Sequence, residues 1–418
     1  MASVDEAPWW LTMAHWGVVG LYTLGPLVLI VIGLRRKAWR SRVIATCVSG
    51  AIIGFGLVVG YALLVAGDVT AIRPGVAVVT AWLAIGLLGV LKGIDLLITF
   101  GTQRLATIVA EGRGRYPRRS IFAVARGIRL VLMLVIGLPI LASAAMVYRP
   151  ATSAQALPGG TSVEVQFETT DGLTIAGLFL PSLSRQTSSE VVLVVPGLGS
   201  GKADALPSAE AIRSVGYDVL IIDPRAHGDS DGRLSTFGDR ERLDVLAAVD
   251  WIRRQGDEPV RVYGLGMSMG GAAVLGAAAD DAGFEAVAII DSFDDLPQLV
   301  DSIVGRQFRL VPPLRALTES VAIPLLSVHS GRPLWRHKPA DDVQTLWPTP
   351  VLIVHSFRDE IIPFVRGRAL YEAAAEPRRS FWLEEESHAE TVTSPAAIDA
   401  VIRFFRDASV LPTLASAG

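Results

Sequence analysis

The stretch Val260-Arg-Val-Tyr-Gly-Leu-Gly-Met-Ser268-Met-Gly-Gly271 constrains the fold more than any other. A short β-branched run enters a Gly-x-Ser-x-Gly, and an Ala-rich helical stretch follows. Strand, tight turn and helix in that order hold one hydroxyl above the end of a sheet, which makes Ser268 a candidate nucleophile. Gly266 and Gly270 fall where strand and helix pack closely, and glycine tolerates both the contact and the strained backbone. The motif needs its context, because a chain with 40 glycines meets it by chance and a serine in a glycine-rich turn is the bland reading.

The context spans residues 162–410. Runs at 163–168 and 173–180 flank Thr170-Asp171-Gly172, a hairpin signal. Short Val/Ile/Leu runs at 191–195, 219–222, 260–265, 286–290, 351–354 and 380–383 then alternate with helical stretches at 203–215, 239–255, 271–279, 365–375 and 395–407. Near-continuous apolar strands between helices predict an α/β fold, a mostly parallel sheet covered on both faces. Such sheets place their sites at the carboxyl ends of the strands. At those ends stand Pro196-Gly-Leu198-Gly-Ser-Gly201, Asp223-Pro-Arg-Ala-His227-Gly-Asp-Ser230, Ser268, His355-Ser-Phe-Arg-Asp359-Glu-Ile-Ile-Pro363 and Glu384-Glu-Glu-Ser-His388. The chain order Ser268, Asp359, His388 is a nucleophile–acid–base order. Asp291, after the 286–290 run, is the rival acid. His227 and His355 read as structural hydrogen-bonding residues, and Glu384–Glu386 as a solvated charge run that could bias His388. Residues 292–347 form an insertion with Pro312-Pro313 and exposed-looking Trp335 and Trp347, read as a small cap over an acyl pocket or as a peripheral helical excursion.

With these motifs in this order, residues 162–407 resemble the α/β-hydrolase superfamily of serine hydrolases, most closely its small-capped esterases, thioesterases and acyl-peptidases. The resemblance implies catalysis by Ser268, Asp359 and His388, without metal or cofactor, and an oxyanion hole from the backbone amides of Leu198 and Met269. Many members begin the oxyanion loop with His-Gly, whereas this chain has Pro196-Gly197. An ester or thioester is the expected substrate. A peptidase of the same fold, or a noncatalytic membrane binding or assembly module, are the alternatives.

Residues 1–150 have a different texture. Four apolar runs, at about 16–34, 43–66, 76–98 and 130–148, reach the ~20 residues that a spanning helix needs. Arg35, Arg36, Lys37, Arg40 and Arg42 follow the first run, and seven arginines from Arg104 to Arg129 precede the fourth. The positive-inside rule keeps both basic loops in the cytoplasm. The expectation is a multi-pass membrane protein, of a bacterial plasma membrane by its Arg- and Ala-rich composition, whose 151–161 linker leads to an extracytoplasmic hydrolase domain. Lys92 and Asp95 interrupt the third run and read as interfacial rather than as an ion site. A net charge of −3 predicts no nucleic-acid partner, and the lone Cys47 permits no intrachain disulfide. The expected partners are the membrane and an acyl-containing small molecule or lipid. Oligomeric state is not encoded in any motif.

Overall fold

A computed structural model of the protein describes residues 162–410, apart from 185–188, 256–258, 308 and 310–311, together with Gly127 and Val147. The chain divides into two compact units, 1–140 and 141–418, and the elements below belong to the second. The four expected membrane runs lie outside the described residues except for Val147, which is helical. Among the described residues no helix is long and apolar enough to cross a membrane.

Eight strands of the described residues form one sheet in the order β1-β2-β4-β3-β5-β6-β7-β8. They are β1 (Val163–Glu168), β2 (Thr174–Leu180), β3 (Glu190–Val195), β4 (Asp218–Ile222), β5 (Arg261–Met267), β6 (Ala286–Ile290), β7 (Val351–Ser356) and β8 (Arg378–Leu383). β2 pairs antiparallel with β1 and β4, and every later neighbour is parallel. The hairpin turn forms where Asp171-Gly172 predicts it, with Gly172 at φ 81° and Gly172 N donating to Thr169 O at 3.0 Å.

Alternation along the strands assigns the two faces. Leu193, Val195, Leu220, Ile222, Ile289 and Ile353 pack on α2 (Glu241–Arg253), α3 (Met269–Ala279) and α7 (Phe364–Ala373). Their neighbours Val192, Val194, Ile221, Leu265, Ile290 and Val354 pack on α1 (Lys202–Ser214) and α9 (Pro395–Val410). With both faces covered, each large aliphatic side chain contributes about 1.5–3 kcal/mol by leaving water. This explains why the central strands read as continuous apolar runs. α3 is buried from Met269 to Ala277, which accounts for its Gly/Ala composition. A Cβ at Gly264 would lie 2.9 Å from Val274 Cγ1, and one at Gly271 would lie 2.8 Å from Ile289 Cγ2.

Between β6 and β7 the insertion folds as α4 (Leu296–Gln307), α5 (Pro312–Ser330), a 3₁₀ turn (Leu334–Arg336) and α6 (Pro339–Val343). Leu296, Leu299, Val300, Leu326 and Leu334 gather with Phe237, Phe293 and Val147 into a third apolar cluster. Trp347 is exposed as expected, at 69%. Trp335 is not, because it packs against this cluster.

Candidate active site

β5 runs two residues further than its apolar pattern suggests and delivers Ser268 straight into α3. Ser268 has φ 54° and ψ −120°, a left-handed conformation costly for a residue with a Cβ. Three bonds hold it there. Ser268 N donates to Ile290 O at 2.8 Å, Gly271 N donates to Ser268 O at 3.0 Å, and Ser292 Oγ donates to Ser268 O at 2.8 Å. A Cβ at Gly266 would lie 2.5 Å from Gly270 O, and one at Gly270 would strike the carbonyl of Val195. Both motif glycines are therefore steric requirements.

His388 opens the short helix α8 (His388–Thr391), preceded by Ser387 in a capping box with Glu390. Ser387 N donates to Glu390 Oε2 at 2.8 Å, which fixes the backbone that presents the imidazole. The Ser-x-x-Glu spacing was a readable signal for this turn. His388 Nε2 lies 3.1 Å from Ser268 Oγ, and His388 Nδ1 lies 2.6 Å from Asp359 Oδ2. Asp359 Oδ1 accepts the amides of Ile361 at 2.8 Å and Ile362 at 2.7 Å. Its acid loop is thus a self-bonded turn of the kind aspartate favours.

The three residues Ser268, His388 and Asp359 converge, and Asp291 lies behind them. Its Oδ2 is 3.9 Å from His388 Nδ1, so Asp359 is the hydrogen-bonded acid and Asp291 a second, longer contact. Burial depresses the affinity of His388 for a proton, but the hydrogen bond and charge of Asp359, then the charges of Asp291 and Glu360, outweigh it and raise its pKa. The influence foreseen for Glu384–Glu386 falls instead to Glu360, whose Oε2 accepts His388 N at 3.1 Å.

The loop after β3 comes close to the serine: a Cβ at Gly197 would lie 3.0 Å from Ser268 Cβ. Among the described residues no loop or cap hydrogen bond uses the amide of Leu198 or of Met269. His227, read as structural, supports this loop. Its Nε2 accepts Gly199 N at 2.9 Å, so its Nδ1 carries the proton and donates to Arg225 O at 2.9 Å. His355 lies inside β7, where Nε2 donates to Ile362 O at 2.9 Å, and burial pulls its pKa down. His337 is buried too, its Nε2 2.8 Å from Phe237 O.

Asp291, His355 and Asp359 bring candidate ligand atoms within 4.8 Å of one another. The imidazole's Nε2 is committed to a carbonyl and faces Asp359 at 3.7 Å, while Nδ1 faces Asp291 at 3.7 Å. The two carboxyls thus lie on opposite ring nitrogens, and a neutral imidazole offers one lone pair. The group is a buried hydrogen-bond and charge network rather than a metal cage.

Comparison with known proteins fits this geometry. An esterase of Pyrococcus furiosus superposes with a TM-score of 0.50 at 20% identity, covering 63% of this chain and 98% of that one. The fold is that of an α/β-hydrolase. Residues 176–306, which include Ser268 but neither Asp359 nor His388, match the model of the X-Pro dipeptidyl-peptidase (S15) family. A protein of Mycobacterium tuberculosis described as uncharacterised is 28% identical over 263 residues, which cover 62% of this chain and 84% of that protein. A thiohydrolase of Aspergillus aculeatus is 24% identical over 304 residues, covering 59% of this chain and 93% of that protein. The chain is a serine hydrolase, of esterase or peptidase type.

Proposed function

We propose that this serine hydrolase cleaves an ester or thioester of an acyl-containing small molecule or lipid through an acyl-Ser268 intermediate. The observation that carries the reading is the unbroken relay Ser268 Oγ–His388–Asp359, at 3.1 and 2.6 Å, on a serine held at positive φ. Ser268 Oγ bonds to the acyl carbon as His388 Nε2 takes its proton. The amides of Leu198 and Met269 receive the oxyanion. The carbon–oxygen or carbon–sulfur bond then breaks, and His388 returns the proton to the leaving group. Water repeats the sequence on the acyl-enzyme. Asp359 keeps the imidazole in the required tautomer and balances its charge.

Two features favour an apolar acyl group. Leu198 packs against the apolar cluster of the insertion, which fits a small cap beside the oxyanion loop. Phe357 and Ile361, 51% and 47% exposed, flank the loop that carries Asp359. The resemblance to a thiohydrolase supports the thioester. The S15 match keeps a peptidase as the second reading. A fluorophosphonate probe is expected to label the full-length protein and to leave Ser268→Ala unlabelled; equal labelling of both removes the nucleophile. Hydrolysis rates on acyl esters, acyl thioesters and Xaa-Pro anilides then separate the readings, and turnover of the anilide alone overturns the first.

The membrane runs complete the proposal: the apolar runs upstream of Val147 anchor the protein in a plasma membrane, and the hydrolase domain lies outside the cytoplasm. The charge distribution between the runs supports it. Reporter fusions after Gly160 test the orientation, and a cytoplasmic signal reverses it.

A further inference from the structure

Asp291 follows β6 directly, with no exposed surface and with φ 46°, its amide donating to Val354 O at 2.9 Å. Its carboxyl is half used. Oδ1 accepts Ser356 N at 3.0 Å, whereas Oδ2 has no hydrogen-bond partner among the described residues. Burying a polar atom unsatisfied is costly, so a purely structural role accounts poorly for this residue. Oδ2 is 3.9 Å from Nδ1 of His388, the same ring atom that Asp359 binds.

The surroundings define what Asp291 can do. From β7, His355 presents Nδ1 to Asp291 Oδ1 at 3.7 Å, but that ring is neutral with its proton on Nε2, so Nδ1 offers a lone pair and no charge. From α8, the Thr391 hydroxyl is near enough to favour the Asp291 carboxylate, although its proton is given to Ser387 O at 3.0 Å. From the acid loop come the carboxyls of Asp359 and Glu360, both acting on the same imidazole. The ion-pair partners within reach of Asp291 are the imidazoles of His355 and His388. A charge on Asp291 therefore gains a cationic partner when His388 is protonated, the state that forms as Ser268 attacks.

We propose that Asp291 is a positioning residue for His388 that forms with Asp359 a paired-carboxyl acid element, in which Asp291 takes over the imidazole when Asp359 is lost. Closing from 3.9 Å to hydrogen-bond distance needs a shift of about 1 Å, within reach of a side-chain adjustment. Burial, and then the charge of Asp359, push the pKa of Asp291 up to about 7. Near neutrality Asp291 is thus divided between its protonated and ionised forms, and removing the Asp359 charge favours the ionised, receptive form.

The inference rests on His388 as the base of the proposed hydrolysis, and the experiment keeps the two apart. Full-length protein carrying Asp359→Asn, Asp291→Asn or both is assayed on an acyl ester from pH 5 to 10, with thermal unfolding as the check on folding. Asp359→Asn is expected to retain at least about tenfold more kcat/KM than the double variant, losing less than the ~10⁴-fold that an acid without a substitute costs. Asp291→Asn alone is expected to move the acid limb of kcat/KM to lower pH, since one source of negative potential on His388 is gone. Where Asp291→Asn does not fold, Asp291→Ser serves in both backgrounds. Equal activity of Asp359→Asn and the double variant, or an unmoved acid limb, overturns the proposal while leaving hydrolysis by Ser268 intact. Failure of the fluorophosphonate to label wild type overturns hydrolysis itself.

Discussion

Ser268 keeps a backbone conformation that an L-residue reaches only under constraint, and the glycines around it supply the room. A methyl at Gly266 meets the α3 backbone, at 2.5 Å from Gly270 O and 2.6 Å from Gly271 Cα, where no flexible side chain can yield. Gly266→Ala is expected to cost about 1–3 kcal/mol or more, read as a fall in Tm, and to abolish probe labelling. The second residue-scale prediction concerns protons. His388 accepts a proton from Ser268 only when neutral, and its pKa is raised above the ordinary imidazole value. Activity is therefore expected to fall as pH drops through a value above about 6.5. Glu360→Gln removes one of the carboxylates that raise this pKa, so the limb shifts to lower pH. An unchanged profile would show that the Glu360 charge does not reach the ring. At this scale Ser268, Asp359 and His388 were legible because each sits in a local motif at a strand end. Glu360 was not, because its role depends on the backbone amide of a residue 28 positions away.

One buried arginine joins elements far apart in the chain. Arg225, after β4, donates Nη1 to Asp171 Oδ2 at 2.7 Å in the β1–β2 turn and Nη2 to Asp244 Oδ1 at 2.7 Å in α2. The hairpin at the sheet edge, the central sheet and a covering helix are tied through that guanidinium. The hydrogen bond from Arg225 outweighs the opposing burial and holds the Asp171 pKa at about 2. A carboxyl depressed in the folded state contributes stability that is present above its unfolded pKa of about 3.9 and lost as pH falls towards 2. Asp171→Asn is expected to flatten the dependence of Tm on pH between about 4 and 2, and a profile identical to wild type would refute the clamp. The hairpin itself was predictable from Asp171-Gly172. The clamp was not, since Asp171 reads in sequence as a turn residue and nothing more.

The whole molecule divides at 140, and the second unit begins upstream of the expected linker. Val147 is fully buried in the apolar cluster of the insertion, and its carbonyl accepts Ser235 N at 2.8 Å. A fragment starting at 141 is expected to fold and to react with the probe. One starting at 155 loses Val147, leaves an apolar gap and unfolds at lower temperature, by about 1–3 kcal/mol for one buried valine. Equal stability of the two fragments would place the structural boundary after Val147. In sequence Val147 sits in an apolar run of spanning length, and periodicity alone cannot separate a membrane segment from a buried core segment.

The chain's order of residues determined the alternation of strands and helices, the hairpin, the elbow and the three catalytic candidates at strand ends. These follow from backbone sterics and from the two-residue and 3.6-residue repeats, which neighbouring positions encode directly. Tertiary structure alone decided that Glu360 and Asp291 add their charges to His388, and that Val147 joins the hydrolase core. Those choices are set by strand order and register between segments far apart in the chain, and differences of about 1 Å there decide whether two groups share a proton.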